Sequence, residues 1–135
     1  MNWNIAIKWI MLTSGVLTLT MVYAAIAPQA AMRSTFGETL EGDLAEIIVR
    51  NWGVLVGLMG AMLIYGAFHP NGRPLVLVVA GLSKLVFITL VLLSGQQYLA
   101  QARLAVGIDV VMVGLFAAYL LSARQGVQHS AAKVV

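Results

Sequence analysis

The stretch from Pro74 to Leu93, PLVLVVAGLSKLVFITLVLL, is long enough to cross a bilayer as a helix and holds one ionisable residue, Lys84, near its midpoint. A spanning helix needs about 20 mostly apolar residues, each rising roughly 1.5 Å. The last apolar run, Leu104 to Ala123, meets the same requirement and holds one acid, Asp109. An ionisable side chain at membrane depth costs about 2.5 to 3.5 kcal/mol on insertion scales, which turns it toward the bundle interior and a partner. Opposite charges in two spans of one chain therefore predict a buried pair.

Composition agrees. Of 135 residues 61% are hydrophobic and only 10% charged, with a mean hydropathy of +0.92, whereas a soluble domain is about 25% charged. Cysteine is absent, so no disulfide framework, thiolate metal site or thiol chemistry is expected. The two histidines, His69 and His129, fall at a turn and in the C-terminal segment. A histidine-built zinc or haem site is not expected, and neither is any other metal or cofactor. The formal charge of +3 includes no basic run with interleaved aromatics, so nucleic acid is not an expected partner.

The first apolar run extends from Ile5 to Ala27, with Trp3, Lys8 and Trp9 at its head and Tyr23 near its end, in keeping with interfacial aromatic belts. A cleaved signal peptide is the rival reading, because Ala25-Ile26-Ala27 resembles a cleavage site; the run exceeds the usual 7 to 15 residues of such a segment. Thr13, Ser14, Thr18 and Thr20 are read as hydroxyls returned to helix carbonyls. Between Pro28 and Gly42 lies the longest polar segment. Its residues Gln29 to Phe36 suit a short surface helix ended by Gly37, with Met32 and Phe36 facing the acyl boundary.

Asp43, with Glu46 three residues on, has the spacing of a helix N-cap and its reciprocal partner. A second span then runs to Phe68, and His69-Pro70-Asn71-Gly72 forces a turn. Gly53, Gly57 and Ala61 recur at four-residue intervals, with Gly60 and Gly66 beside them. Such a stripe lets another backbone approach closely, either as an internal seam or as a contact with a second copy or a partner membrane protein. Pro74 suits the first turn of a third helix. Ser94 to Gln97 ends that helix, and Tyr98 to Arg103 leads into the fourth.

The expected fold is thus all-α: an antiparallel up-down-up-down bundle of four transmembrane helices, about 5–27, 44–68, 74–93 and 104–123, in one domain over 1–126, with a tail over 127–135. Lys8, Arg73, Arg124 and Lys133 fall on one side and Arg33, Arg50 and Arg103 on the other. The bias places both termini in the cytoplasm.

On these boundaries Asp109 lies about 9 Å and Lys84 about 15 Å from the same outer side, an offset a snorkelling lysine can span. Glu46 and Arg50 have the spacing of an intrahelical ion pair, and Asn51 and Tyr23 lie at similar depth. Lys84, Asp109, Arg50, Glu46, Asn51 and Tyr23 are therefore read as one polar network in the outer half of the bundle. Three roles compete for it. The charges fix helix register; or they bind or conduct a small ligand or ion from the periplasmic side; or they do chemistry, for which the chain offers no nucleophile with its base and no metal cage, so no catalytic residue is assigned. Membrane lipid is the one partner the composition itself demands. An accessory subunit of a larger complex is the alternative to a ligand-binding protein.

Pro28, Phe36-Gly37, Arg50, Gly53, Gly57 and Arg73-Pro74-Leu75, spread over the middle half of the chain, resemble the layout of small four-helix bacterial inner-membrane proteins of the broad DoxX-like group and its uncharacterised relatives. That resemblance implies the four-helix architecture and a bacterial inner membrane; many members of the group have no assigned activity. The small multidrug resistance family is similar in span count and size, but it requires an acid in the first helix. The run from Ile5 to Ala27 has none.

Overall fold

Each membrane-length run of the sequence is helical. The computed structural model describes the backbone of residues 2–132 and the side chains of residues 2–125. Its elements are α1 (Trp3–Leu19), a 3-10 turn (Thr20–Val22), α2 (Tyr23–Ile26), α3 (Pro28–Phe36), α4 (Asp43–Phe68), α5 (Arg73–Ser94) and, after a second 3-10 turn (Gln96–Tyr98), α6 (Leu99–Ala132). No strand occurs among the described residues. Four helical stretches are long and apolar enough to cross a membrane: Trp3–Ile26, Asp43–Phe68, Arg73–Ser94 and Gln96–Gln125.

Local chemistry sets most boundaries. Thr20 donates its hydroxyl to the carbonyl of Leu17 at 2.6 Å, a back-bond of the kind that locally bends a helix, and the chain tightens into the 3-10 turn there. Ala27, held out of the helical region (φ −127°, ψ 71°), separates α2 from Pro28 at the first turn of α3, as a residue preceding proline is expected to do. Gly37 (φ 81°) closes α3 in the left-handed conformation. The short helix therefore falls where the sequence places it, yet Met32 is buried and Phe36 half-buried against protein, where lipid contact was expected for both. The rings of Trp52, Phe87 and Tyr98 lie 6.3, 6.5 and 5.9 Å from that of Phe36, so burial against aromatics outweighs exposure to acyl chains.

At the head of α4 the expected capping box does not form. Gly42 (φ 102°) occupies the cap position and no side chain caps the helix. Asp43 and Glu46 sit in the first turn, where negative charge suits the helix dipole, and the Glu46 carboxylate turns to Arg50.

Glycines decide how α1, α2 and α4 meet. A Cβ on Gly60 would lie 2.6 Å from the Gly15 carbonyl oxygen, and one on Gly15 would lie 2.9 Å from that of Gly60, so the two backbones cross with no room for a side chain. Gly53 backs onto Ala24 and Gly57 onto Val22 in the same way. The seam is thus Gly53, Gly57 and Gly60, used within the chain. Ala61, the third member of the expected stripe, points outward.

The main apolar core joins Ile7 and Met11 of α1, Leu63 and Ala67 of α4, Val76, Leu77 and Ala80 of α5, and Phe116 of α6. A second cluster sets Ile88 and Val91 of α5 against Ala102 and Val106 of α6, with Phe36 and Phe87 packed on it.

Helix α6 departs most from the sequence-based boundaries. It starts at Leu99 and continues to Ala132, through the segment expected to be a tail from residue 127; residues 133–135 lie outside the described residues. Hydropathy marks where a helix enters lipid, not where it starts. Leu99 to Arg103 and Ala123 to Gln125 are good helix formers, which carry the helix past both ends of the apolar run.

Candidate functional site

The early start of α6 changes the depth of Asp109. It lies about ten residues into α6, near 15 Å by helical rise, and Lys84 lies about ten residues before the end of α5. The expected offset of roughly 6 Å vanishes, and the two residues face each other at mid-helix. The Lys84 Nζ donates to Asp109 Oδ1. Their side chains retain 12% and 17% exposure, so the pair lies inside protein.

A third element contributes. Lys84 Nζ also donates to Thr18 Oγ1 of α1 at 3.5 Å, the long limit of a hydrogen bond. Ser14, one turn earlier on the same face of α1, is 1% exposed, and its hydroxyl is the only buried side-chain polar atom without a partner among the described residues. The sequence reads Thr18 and Ser14 as hydroxyls returned to helix carbonyls; among the described residues Ser14 makes no such bond, and Thr18 accepts from Lys84. Their four-residue spacing was the available signal that both look inward.

Apolar layers bound this group along the bundle. Leu77, Ala80 and Phe116 pack on one side; Ile88, Val106 and Phe87 pack on the other. Room beside Lys84 comes from Gly81, whose missing Cβ would just touch Phe116 at 4.0 Å.

The remaining members of the expected network stand apart. Arg50 donates through Nε and Nη2 to Glu46 Oε1 at 2.9 and 2.5 Å, with the side chains 43% and 44% exposed. Its Nη1 donates to the carbonyl of Ala25, and at 3.4 Å to that of Ile26, closing the C-terminal end of α2. Tyr23 shares a hydrogen bond with Ser34 of α3, and Asn51 is exposed. No hydrogen bond among the described residues links these four to Lys84 or Asp109. The single patch expected from sequence is two groups: a mid-helix pair with hydroxyls, and a polar clasp joining α2, α3 and α4.

A further basic residue does structural work that side counting concealed. Arg73 is 3% exposed and donates through Nε to the Gly66 carbonyl at 3.3 Å and through Nη2 to that of Ala67 at 3.1 Å. A guanidinium on the last carbonyls of α4 satisfies acceptors with no helical partner and suits the negative end of the dipole.

No group of three or more histidine, cysteine, aspartate or glutamate side chains with metal-binding geometry occurs among the described residues. What the mid-helix group can do chemically is hold charge. Lys84 offers three N–H donors, of which two are directed at Asp109 and Thr18, and Asp109 has a second carboxylate oxygen beyond the one Lys84 engages.

No family model matches this chain, and neither a curated protein nor a solved structure does.

Proposed function

We propose that the chain is a multi-pass protein of a bacterial inner membrane, threaded up-down-up-down with both termini in the cytoplasm and α3 at the periplasmic surface, and that it binds or conducts a small polar ligand or ion at Lys84 and Asp109. The observation that carries this reading is the incomplete satisfaction of the buried group. A purely structural ion pair repays its desolvation only when the remaining donors and acceptors are also met. Here a hydroxyl 1% exposed, Ser14, has no partner among the described residues one turn from Thr18, and Lys84 has a third N–H beyond the two directed at Asp109 and Thr18. Unpaired buried polar atoms are rare and call for an occupant such as water, an ion or a ligand. Ionisable residues at membrane depth commonly mark the path of one. The resemblance to the DoxX-like group supports the architecture and the membrane; the positive-inside rule supports the orientation.

The test is proton flux in proteoliposomes containing an internal pH dye under an imposed potassium diffusion potential. Wild-type protein should shift the internal pH faster than empty vesicles as the potential drives protons across, and the folded double variant Lys84→Met, Asp109→Leu should not. Equal flux from the two proteins would remove conduction of protons. Retention by the double variant of every small molecule that co-purifies with wild type would remove the binding role as well.

One observation favours the accessory-subunit reading. Only 11% of the most apolar stretch of the fourth span is buried within the chain, against 22 to 28% for the other three. In that reading the pair serves packing alone and α6 meets a partner membrane protein. Under it, the double variant would fail to co-purify with a complex that wild type retains.

A further inference from the structure

Between Leu17 of α1 and the outer face of α6 lies an open groove of about 370 Å³. Leu17 of α1 forms one wall; Leu104, Gly107, Ile108 and Val111 of α6 form the other, and Arg103 stands at one end. Nothing lies within 4 Å of where a Cβ on Gly107 would be, so the glycine faces open space and is not needed for packing inside the chain.

Arg103 is the one charged residue of this lining. The guanidiniums of Arg50 and Arg73 are engaged by Glu46 and by helix-end carbonyls. Arg103 is exposed and makes no ion pair or hydrogen bond among the described residues. It sits about four residues into α6, near 6 Å by rise from the helix start, so its side chain reaches the interface while its stem stays in the apolar layer. From Leu104 to Val111 the groove follows α6 for about 10 Å, and the residues lining that part are apolar.

We infer that this groove seats one anionic phospholipid, its phosphate held by Arg103 and an acyl chain laid along Gly107 toward Val111. The match is one of charge and shape. A guanidinium pairs with phosphate in a bidentate fork, and a channel lined by Leu, Ile and Val suits a hydrocarbon chain. A second copy fits worse. Two copies in one membrane, related by an axis along its normal, would bring Arg103 opposite its own counterpart at the same depth, and like charges so placed oppose association. The lipid seat stands whether or not Lys84 and Asp109 take a ligand, because none of its contacts involves them.

The experiment is native mass spectrometry of protein released from vesicles of equimolar phosphatidylglycerol and phosphatidylcholine. Wild type should retain one lipid and favour phosphatidylglycerol by about tenfold, because both headgroups carry a phosphate but the ammonium of choline offsets that charge and is repelled by Arg103. Arg103→Gln should lose the preference while still retaining a lipid of either kind. Gly107→Leu fills the groove and should lose the retained lipid. Arg124→Gln, an exposed cation away from the groove, should behave as wild type. An undiminished preference in Arg103→Gln, or an equal loss in Arg124→Gln, would overturn the assignment. So would a disulfide between two copies of Gly107→Cys forming in the membrane, which would give the groove to a second chain.

Discussion

Replacing Lys84 by Met removes the cation and leaves the Asp109 carboxylate with 17% of its side chain exposed and no partner from Lys84. Breaking a buried pair from one side typically costs 3 to 5 kcal/mol, because the survivor is uncompensated. The insertion cost of a lone charge at mid-membrane, about 2.5 to 3.5 kcal/mol, points to the same range from a different reference state. The residual exposure and the nearby hydroxyls of Thr18 and Ser14 soften the loss, so the lower end, about 3 kcal/mol, is expected for Lys84→Met. Asp109→Leu strands the ammonium instead and should lose a similar amount. The double variant strands nothing and should recover to within about 1 kcal/mol of wild type or exceed it, since apolar replacements of buried pairs are often neutral or stabilising. The assay is reversible unfolding in mixed micelles by SDS titration, followed by far-UV circular dichroism, on all four proteins. The cycle should give a coupling of at least about 2 kcal/mol. Two single losses below about 0.5 kcal/mol that simply add would mean the side chains do not meet, and the mid-helix pair would not exist.

Other substitutions read other joints of the fold. Gly60→Ala should destabilise by about 1 to 3 kcal/mol despite the higher helix propensity of alanine, because its methyl would lie 2.4 Å from the Leu19 amide nitrogen and 2.6 Å from the Gly15 carbonyl oxygen, both of them backbone atoms. Gly114→Ala, with nothing within 4 Å, should gain up to about 1 kcal/mol in the same titration; equal shifts at both sites would refute the α1–α4 crossing. Arg73→Met should lose about 1.5 to 3 kcal/mol as two helix-end carbonyls lose a charged donor. Glu46→Gln, at a half-exposed pair, should lose under about 1 kcal/mol, and a larger loss there than at Arg73 would reverse the assignment of which arginine matters. Phe36→Ala, in a background where Trp3 and Trp9 are Phe, should red-shift the emission of Trp52, whose ring lies 6.3 Å from the Phe36 ring; unchanged emission would mean α3 does not cover Trp52.

Four membrane-length helices were legible because twenty-residue apolar runs admit no other structure in lipid: every backbone group must be satisfied within its own segment. The pairing of Lys84 with Asp109 was legible for a related reason, as two isolated opposite charges in such runs have few alternatives. Depth was not. Apolar content places the fourth span from Leu104, but the helix begins at Leu99, and five residues of added helix account for the offset that the sequence demanded of a snorkelling lysine. Arg73 was misjudged because sequence counts it by side, whereas it is engaged by the carbonyls that end α4; Arg50 makes the expected pair with Glu46 and in addition reaches the carbonyls that end α2. No local pattern announces that a guanidinium will reach back across a turn. Likewise, Met32 and Phe36 have the spacing of a lipid-facing stripe, and only the tertiary placement of Trp52, Phe87 and Tyr98 turns that stripe inward.

Why an ion pair should sit at the centre of so apolar a bundle follows from what holds α5 against α6. Leucine and valine gain little by leaving lipid for each other, so apolar faces alone tolerate sliding. A slip of one turn, about 5.4 Å, would exchange one set of aliphatic contacts in the Ile88, Val91, Ala102 and Val106 cluster for another of similar size. The same slip would pull Asp109 Oδ1 out of reach of Lys84 Nζ and strand two charges at mid-helix. The pair therefore selects one register among several of nearly equal packing energy, which is the best-attested use of buried polar groups. Register alone, however, needs one cation and one anion. Neither the inward hydroxyl of Thr18 nor the unpartnered one of Ser14 adds to it, since α1 is already fixed on α4 by the Gly15 and Gly60 crossing. Those two hydroxyls are the excess over what packing requires, and they are why the mid-helix group is read as a place where something polar is held.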